Sequence, residues 1–334
     1  MLGRSAVFLC CLTVVLSLAG AGRASDKPLI YAAFWRGCEE VCLGFQAYIK
    51  EEALDVEIVI RDADQNKANV PLFLAEAREM GADLILTWGT SVTLGFTGTL
   101  DDMADPRFNN DIPQVFTIVA DPVGAGIVES LDETGRANIT GTFNRVPEAV
   151  NINTIRSYNP DFKRLGLLYN ANERNSLLKR DEVASLSAEM GFELVAIELE
   201  LGDDGRPRAE DIPGKVAELK DRDVDFIYLG SSSFLDKNRD AFTGAAVANG
   251  LPVLSPYERL VRESQALFSI AARYQDVGRL VGEQARKILV DGLTPGDIPV
   301  ARMTQFAYVV NMSVAKKLNL FPPVEILQFA ETVN

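Results

Sequence analysis

Two short turns rich in hydroxyl groups are the most chemically suggestive stretches of the chain. In the first, Ala82-Asp83-Leu84-Ile85-Leu86-Thr87-Trp88 runs into Gly89, Thr90 and Ser91 before Val92-Thr93-Leu94. In the second, Val224-Asp225-Phe226-Ile227-Tyr228-Leu229 runs into Gly230, Ser231, Ser232 and Ser233. A β-prone apolar run, a glycine and then a hydroxyl-bearing helix start read as a buried parallel strand, a tight turn and a capped helix N-terminus. Such an N-terminus presents unpaired amides and partial positive charge, which suits a carboxylate or another anion. Simple helix capping explains either copy taken alone. The plan recurs, however, and each copy is followed by a proline-led strand, Pro113-Gln114-Val115-Phe116 and Pro252-Val253-Leu254. The recurrence points to two matched α/β lobes whose loops, at the carboxyl ends of parallel strands, face a shared ligand.

Other polar groups fall at comparable strand ends. Trp35-Arg36 follows the apolar run Leu29 to Phe34. An arginine there can pair bidentately with a ligand carboxylate, and a tryptophan can stack on a flat or apolar ligand; a surface arginine and a core tryptophan are the alternatives. Tyr169-Asn170-Ala171-Asn172-Glu173-Arg174-Asn175-Ser176 sits where another strand meets a helix. Ser176 fits a cap, whereas Asn170 and Glu173 have no such role. Asp121 opens the turn Asp121-Pro122-Val123-Gly124-Ala125-Gly126, whose glycines match neither nucleotide fingerprint. Tyr257 closes Leu254-Ser255-Pro256-Tyr257. The chain has no histidine, which excludes serine–histidine triads, histidine metal sites and imidazole acid–base work. With no nucleophile–base pair and no metal cluster in the pattern, no catalytic residue, metal or cofactor is expected.

The elements that must position these groups alternate strand and helix over a chain of 334 residues, 47% of them apolar. That length accommodates two domains with real cores. Met1-Leu2-Gly3-Arg4, an apolar run from Ala6 to Leu18 and a small-residue stretch ending at Ala24 have the layout of a cleaved secretory signal over residues 1–24. The mature protein is expected in the periplasm and is not expected to span the membrane. A net charge of −14 argues against nucleic acid as a partner. Cys38 and Cys42, on one face of a helical pattern with Val41, Phe45 and Ile49, are the two cysteines left after signal removal. An oxidising compartment favours a bond between them. A regular helix, holding such Cα atoms roughly 6 Å apart, resists it. Buried free thiols and a local disulfide both remain open.

In the order and spacing of Thr90, Asp121 to Val128, Asn138-Ile139-Thr140-Gly141, Tyr169 to Ser176 and Gly292…Pro295…Ile298-Pro299, the chain resembles the substrate-binding proteins of ABC importers, in the group with tryptophan- and tyrosine-binding members. The resemblance implies a two-lobed periplasmic binding protein of type I. It has Rossmann-like lobes with parallel sheets and three crossings, near Phe143–Asn144, Ala272–Arg273 and Thr304–Phe306. One lobe would comprise residues 25–143 and 274–303, the other 144–273 and 304–334. The resemblance further implies a small-molecule ligand held by the Gly89–Ser91, Asp121, Asn170–Ser176 and Gly230–Ser233 loops, with an ABC permease and its ATPase as partners. A sensor feeding a signalling receptor is the alternative role. Two departures bear on the ligand. Amino-acid-binding members carry an aspartate where Ser232 stands, and often a His-Pro pair where Trp35-Arg36 stands. A small anionic or neutral organic ligand, rather than a standard amino acid, is therefore expected.

Overall fold

The computed structural model describes residues 27–334, so the expected signal segment lies outside the described residues. Two sheets organise the chain. The first is built from β1 (Leu29–Phe34), β2 (Glu57–Asp62), β3 (Leu84–Trp88), β4 (Gln114–Thr117) and β5 (Ile139–Phe143). The second takes β6 (Arg164–Tyr169), β7 (Glu193–Glu198), β8 (Phe226–Tyr228), β9 (Val253–Ser255) and β10 (Phe268–Ala271). The chain then returns to add β11 (Ala301–Arg302) to the first sheet before β12 (Ala307–Asn311) and β13 (Glu331–Val333) complete the second. The orders are β11-β5-β4-β3-β1-β2 and β13-β12-β10-β9-β8-β6-β7. Every pairing in the first sheet is parallel. In the second, β12 runs antiparallel to β10 and β13 parallel to β12. The chain therefore passes between sheets three times, after β5, β10 and β11.

The recurring aspartate has a structural meaning. Asp83, just before β3, accepts the Leu29 amide of β1 at 2.6 Å. Asp225, just before β8, accepts the Lys163 and Arg164 amides at the start of β6 at 2.7 and 2.8 Å. In each lobe one carboxylate ties two neighbouring central strands in register, so that their carboxyl ends finish side by side. At those ends Gly89 and Gly230 adopt φ of +93° and +70°, a region that side chains with a Cβ rarely enter. The turn directs each hydroxyl loop out of its sheet edge.

Helix Glu40–Glu51 packs on helix Tyr274–Leu289 along a seam of glycines. A Cβ on Gly44 would stand 2.1 Å from the Gln275 carbonyl oxygen, and one on Gly278 2.1 Å from that of Val41. The close approach locks the segment after the second crossing onto the first lobe, where Val277, Val281, Ala285 and Ile288 join its core. Two sequence expectations need correction. The first helix begins at Glu40, not at Cys38: Cys38 lies in an exposed turn before it, and the Cys38 and Cys42 Cα atoms, 5.1 Å apart, are joined by a disulfide. The bend before the helix removes the geometric objection to the bond. The sequence pattern also suggests a helical tail after Ala307 to Val310, whereas Glu331–Val333 pairs with β12 as an edge strand.

Gly278→Ala forces two backbones apart. It should lower stability by ~1–3 kcal/mol, read as an earlier thermal unfolding midpoint; an unchanged midpoint would show that the seam is looser than described.

Candidate ligand-binding site

The carboxyl ends of strands from both lobes converge on one cleft. From the first lobe come Trp35 and Arg36 after β1, Trp88 and the Gly89-Thr90-Ser91 turn at β3, and Ile118, Val119 and Ala120 after β4. From the second come Ser231 and Ser233 after β8 and Tyr257 after β9, with Asn175 from the helix behind β6. The first two crossings close its base with Asn144, Arg145 and Tyr274. With the lobes shut the cleft keeps only about 30 Å³ of free space, far below the roughly 300–1,000 Å³ usual for small-molecule pockets, so a ligand enters with the lobes apart. Trp35, Trp88 and Tyr257 are almost wholly buried, giving flat apolar walls. Ile118 has φ +53°, a strained conformation for a β-branched residue of the kind that collects at binding sites.

Of the twelve residues singled out in the sequence, seven line this cleft: Trp35, Arg36, Gly89, Thr90, Ser91, Ser231 and Tyr257. Thr90 is the first residue of helix Thr90–Thr97, and the N-cap is Gly89 with no side-chain cap. The expected hydroxyl cap is thus absent from the first loop, and the Thr90 hydroxyl instead accepts the Ala120 amide at 3.4 Å. In the second loop Ser232 does cap its helix, accepting the Leu235 amide at 3.2 Å.

The other five stand outside the lining and brace it. Ser232 donates to the Asn170 side-chain carbonyl at 2.7 Å, and the Asn170 amide donates to Ser176 at 3.0 Å. Glu173 accepts the Ser233 and Phe234 amides at 2.8 and 3.2 Å, while Asn175 donates to the Ser231 carbonyl at 2.8 Å. Burial pushes the Glu173 carboxyl above its ordinary range despite these donors and the charge of Arg36. Asp121 accepts the Gly124 amide at 2.7 Å and so closes its own turn. Trp88, Asn144, Arg145, Asn175 and Tyr274 line the cleft without having been singled out. Trp88 read as the end of an apolar run. Asn144 was legible only as part of a crossing, and Arg145 not at all.

Arg36 does not stand free for a ligand carboxylate. It is ion-paired with Asp236 of the second lobe and lies 3.2 Å from Glu39 of its own. Its guanidinium also stacks over Trp88, 5.1 Å from the ring centroid. Asp236 accepts a forked pair from Arg259 at 2.7 and 2.6 Å, and Arg259 reaches back across the cleft to Glu39 at 3.1 Å. Four charges, two from each lobe, thus join at the mouth. Glu39 lies between the disulfide-bonded Cys38 and Cys42. A further inter-lobe bond runs from Arg206 to the Asp64 carbonyl at 3.4 Å. The lobes are held shut.

Two parallel-sheet lobes shutting on a shared cleft define a protein of the periplasmic-binding type. The chain belongs to the ABC transporter substrate binding protein family, whose model matches residues 40–334. It is 26% identical over 210 residues to a tyrosine-binding protein of Clostridioides difficile, a match covering 63% of this chain but only 58% of that relative. Among solved structures it is similar to an ABC domain from Streptococcus pneumoniae in complex with L-Trp, with TM-score 0.78 and 21% identity over 91% of this chain and all of that one. It is also similar to a conserved domain protein from Vibrio cholerae, with TM-score 0.80 and 21% identity over 92% of this chain and all of that one. Among the described residues, no helix is long and apolar enough to cross a membrane.

The mouth network makes closure sensitive to one carboxylate. Burial opposes the charge on Asp236, but Arg36 and Arg259 outweigh it and hold the carboxyl below its ordinary range. A depressed carboxyl contributes its stabilisation above the ordinary aspartate pKa of about 4 and loses it only as pH falls through the lower value of the closed form. Asp236→Asn should therefore open the unliganded protein, increasing its radius of gyration in small-angle scattering at pH 7. The wild type should stay compact on acidification to about pH 4. Equal radii for the two proteins would remove the network from the account of closure.

Proposed function

We propose that this protein captures a small organic molecule in the periplasm and delivers it to the permease and ATPase of an ABC importer. One observation carries the reading: a single cleft whose walls come from both lobes, with charges of both lobes meeting at its mouth. A molecule touching both walls binds the shut form better than the open one and so shifts the population toward it. A permease would then read the shut face. Catalysis gains no support from the site, because Asp121 and Glu173 both accept backbone amides outside the lining.

The cargo is an anionic or neutral molecule rather than a standard amino acid. An amino acid brings an ammonium group that needs an acceptor, preferably a carboxylate. Ser232 is turned into its own lobe, and the nearest acidic side chains of the mouth, Asp236 and Glu39, already meet Arg36 and Arg259. Protein purified from a periplasm and weighed by native mass spectrometry should carry a non-covalent adduct below a few hundred daltons, in about a 1:1 ratio because both lobes share one cleft. Release of that molecule by mild denaturation and its return to the refolded protein should restore the adduct at the same mass. Chemical conversion of the molecule by the protein, or saturation by tyrosine or tryptophan in preference to it, would overturn the reading.

A further inference from the structure

The cleft lining contains two arginines and, among the described residues, no aspartate or glutamate. Arg36 is neutralised at the mouth. Arg145 is not. It lies on the first crossing, at the base of the cleft, with its side chain 11% exposed. Its one ionic contact, to Glu148, is 3.9 Å long, beyond hydrogen-bond reach, and its buried Nη2 has no acceptor. Glu148 cannot turn to it, because one carboxylate oxygen is held by Lys179 and the other accepts the Asn151 amide at 3.0 Å. Lys179 is in turn shared with Glu182. Next to Arg145 on the crossing, Asn144 is buried and its side-chain carbonyl oxygen is also without a donor. Asn144 and Arg145 line both the main cleft and a small polar recess beside it, shared with Glu148, Asn151 and Tyr228.

An arginine always carries its charge and offers five donors in a planar fork. Leaving the buried Nη2 of that fork without an acceptor costs about 1–3 kcal/mol, unless an anion completes it when the lobes shut. The walls above it are aromatic: Trp35, Trp88, Tyr257 and Tyr274. Burial pushes the phenols of both tyrosines up, so they present neutral rings and hydroxyls. We propose that Arg145 takes the carboxylate of the cargo in bidentate fashion, with the neighbouring Asn144 carbonyl accepting from a hydroxyl or amide N–H, and that the cargo is an aromatic monocarboxylic acid lacking an ammonium group. This assignment rests on the capture reading above. It moves the anion-holding role expected of Arg36 to a residue on the hinge.

The test is calorimetric titration of the mature protein with benzoate, 4-hydroxybenzoate, phenylacetate and indole-3-acetate, each beside its uncharged amide, and with L-tryptophan. At least one acid should bind tenfold or more tightly than its amide and than L-tryptophan. Arg145→Gln should erase that acid-over-amide ratio, and Arg145→Lys, which keeps the charge but loses the fork, should retain part of it. Thermal melting reports whether each variant is folded; if Arg145→Gln is not, the ratio in Arg145→Lys decides, and a full wild-type ratio there overturns the proposal. So does an acid that binds no better than its amide, a ratio that survives Arg145→Gln, or a panel that does not bind at all. The native mass spectrum judges the capture reading separately: an adduct that is not an aromatic acid sinks this assignment and leaves capture standing.

Discussion

The shut arrangement depends on four charges that cancel twice. Within the first lobe Arg36 stands beside Glu39, and within the second Arg259 grips Asp236. Each lobe thus carries its own neutral pair when the two are apart. Closure brings the pairs together, so that Arg36 meets Asp236 and Arg259 meets Glu39. Neither lobe has to strip water from an uncompensated charge, which keeps the penalty of burying ions from exceeding their attraction. A network of this design favours closure only modestly. An occupant that touches both walls adds its own preference for the shut form to that of the network.

Much of this was legible in the chain, because parallel strands in a doubly covered sheet read as apolar runs bounded by turns. Leu29–Phe34 matches the expected apolar run residue for residue. The duplicated Asp–strand–Gly–hydroxyl plan reflects a duplicated solution: an aspartate fastening neighbouring strands and a glycine turning out of the sheet. Gly89 and Gly230 were visible for that reason, being local necessities. The three crossings, by contrast, were expected from the resemblance to the family and not from any local pattern.

What stayed hidden was partnership over long sequence distance. Arg36 invites a ligand carboxylate until Asp236 is placed against it, and nothing local to either residue announces the other. Asp236 also qualifies the substitution at Ser232: an acidic side chain does stand one turn along that helix, but it is fully buried against two arginines. Arg145 escaped notice for the opposite reason. Its importance comes from a missing neighbour, and a sequence does not display absences in space. The polar residues that did attract attention, Asn170, Glu173 and Ser176, stitch the loops after β6 and β8 together. They fix the shape of the wall from behind it.

The order in which the chain is laid down has a consequence for its biogenesis. The first sheet lacks an edge until β11 at residues 301–302, and its core lacks a helix until residues 274–289 arrive. The second sheet waits for β13 at residues 331–333. Neither lobe can reach its finished state on a ribosome that still holds the last tens of residues. A nascent chain of this topology therefore remains incompletely folded through almost its whole synthesis. That delay leaves it threadable, which is the condition a translocation pore demands of a polypeptide that must fold on the far side.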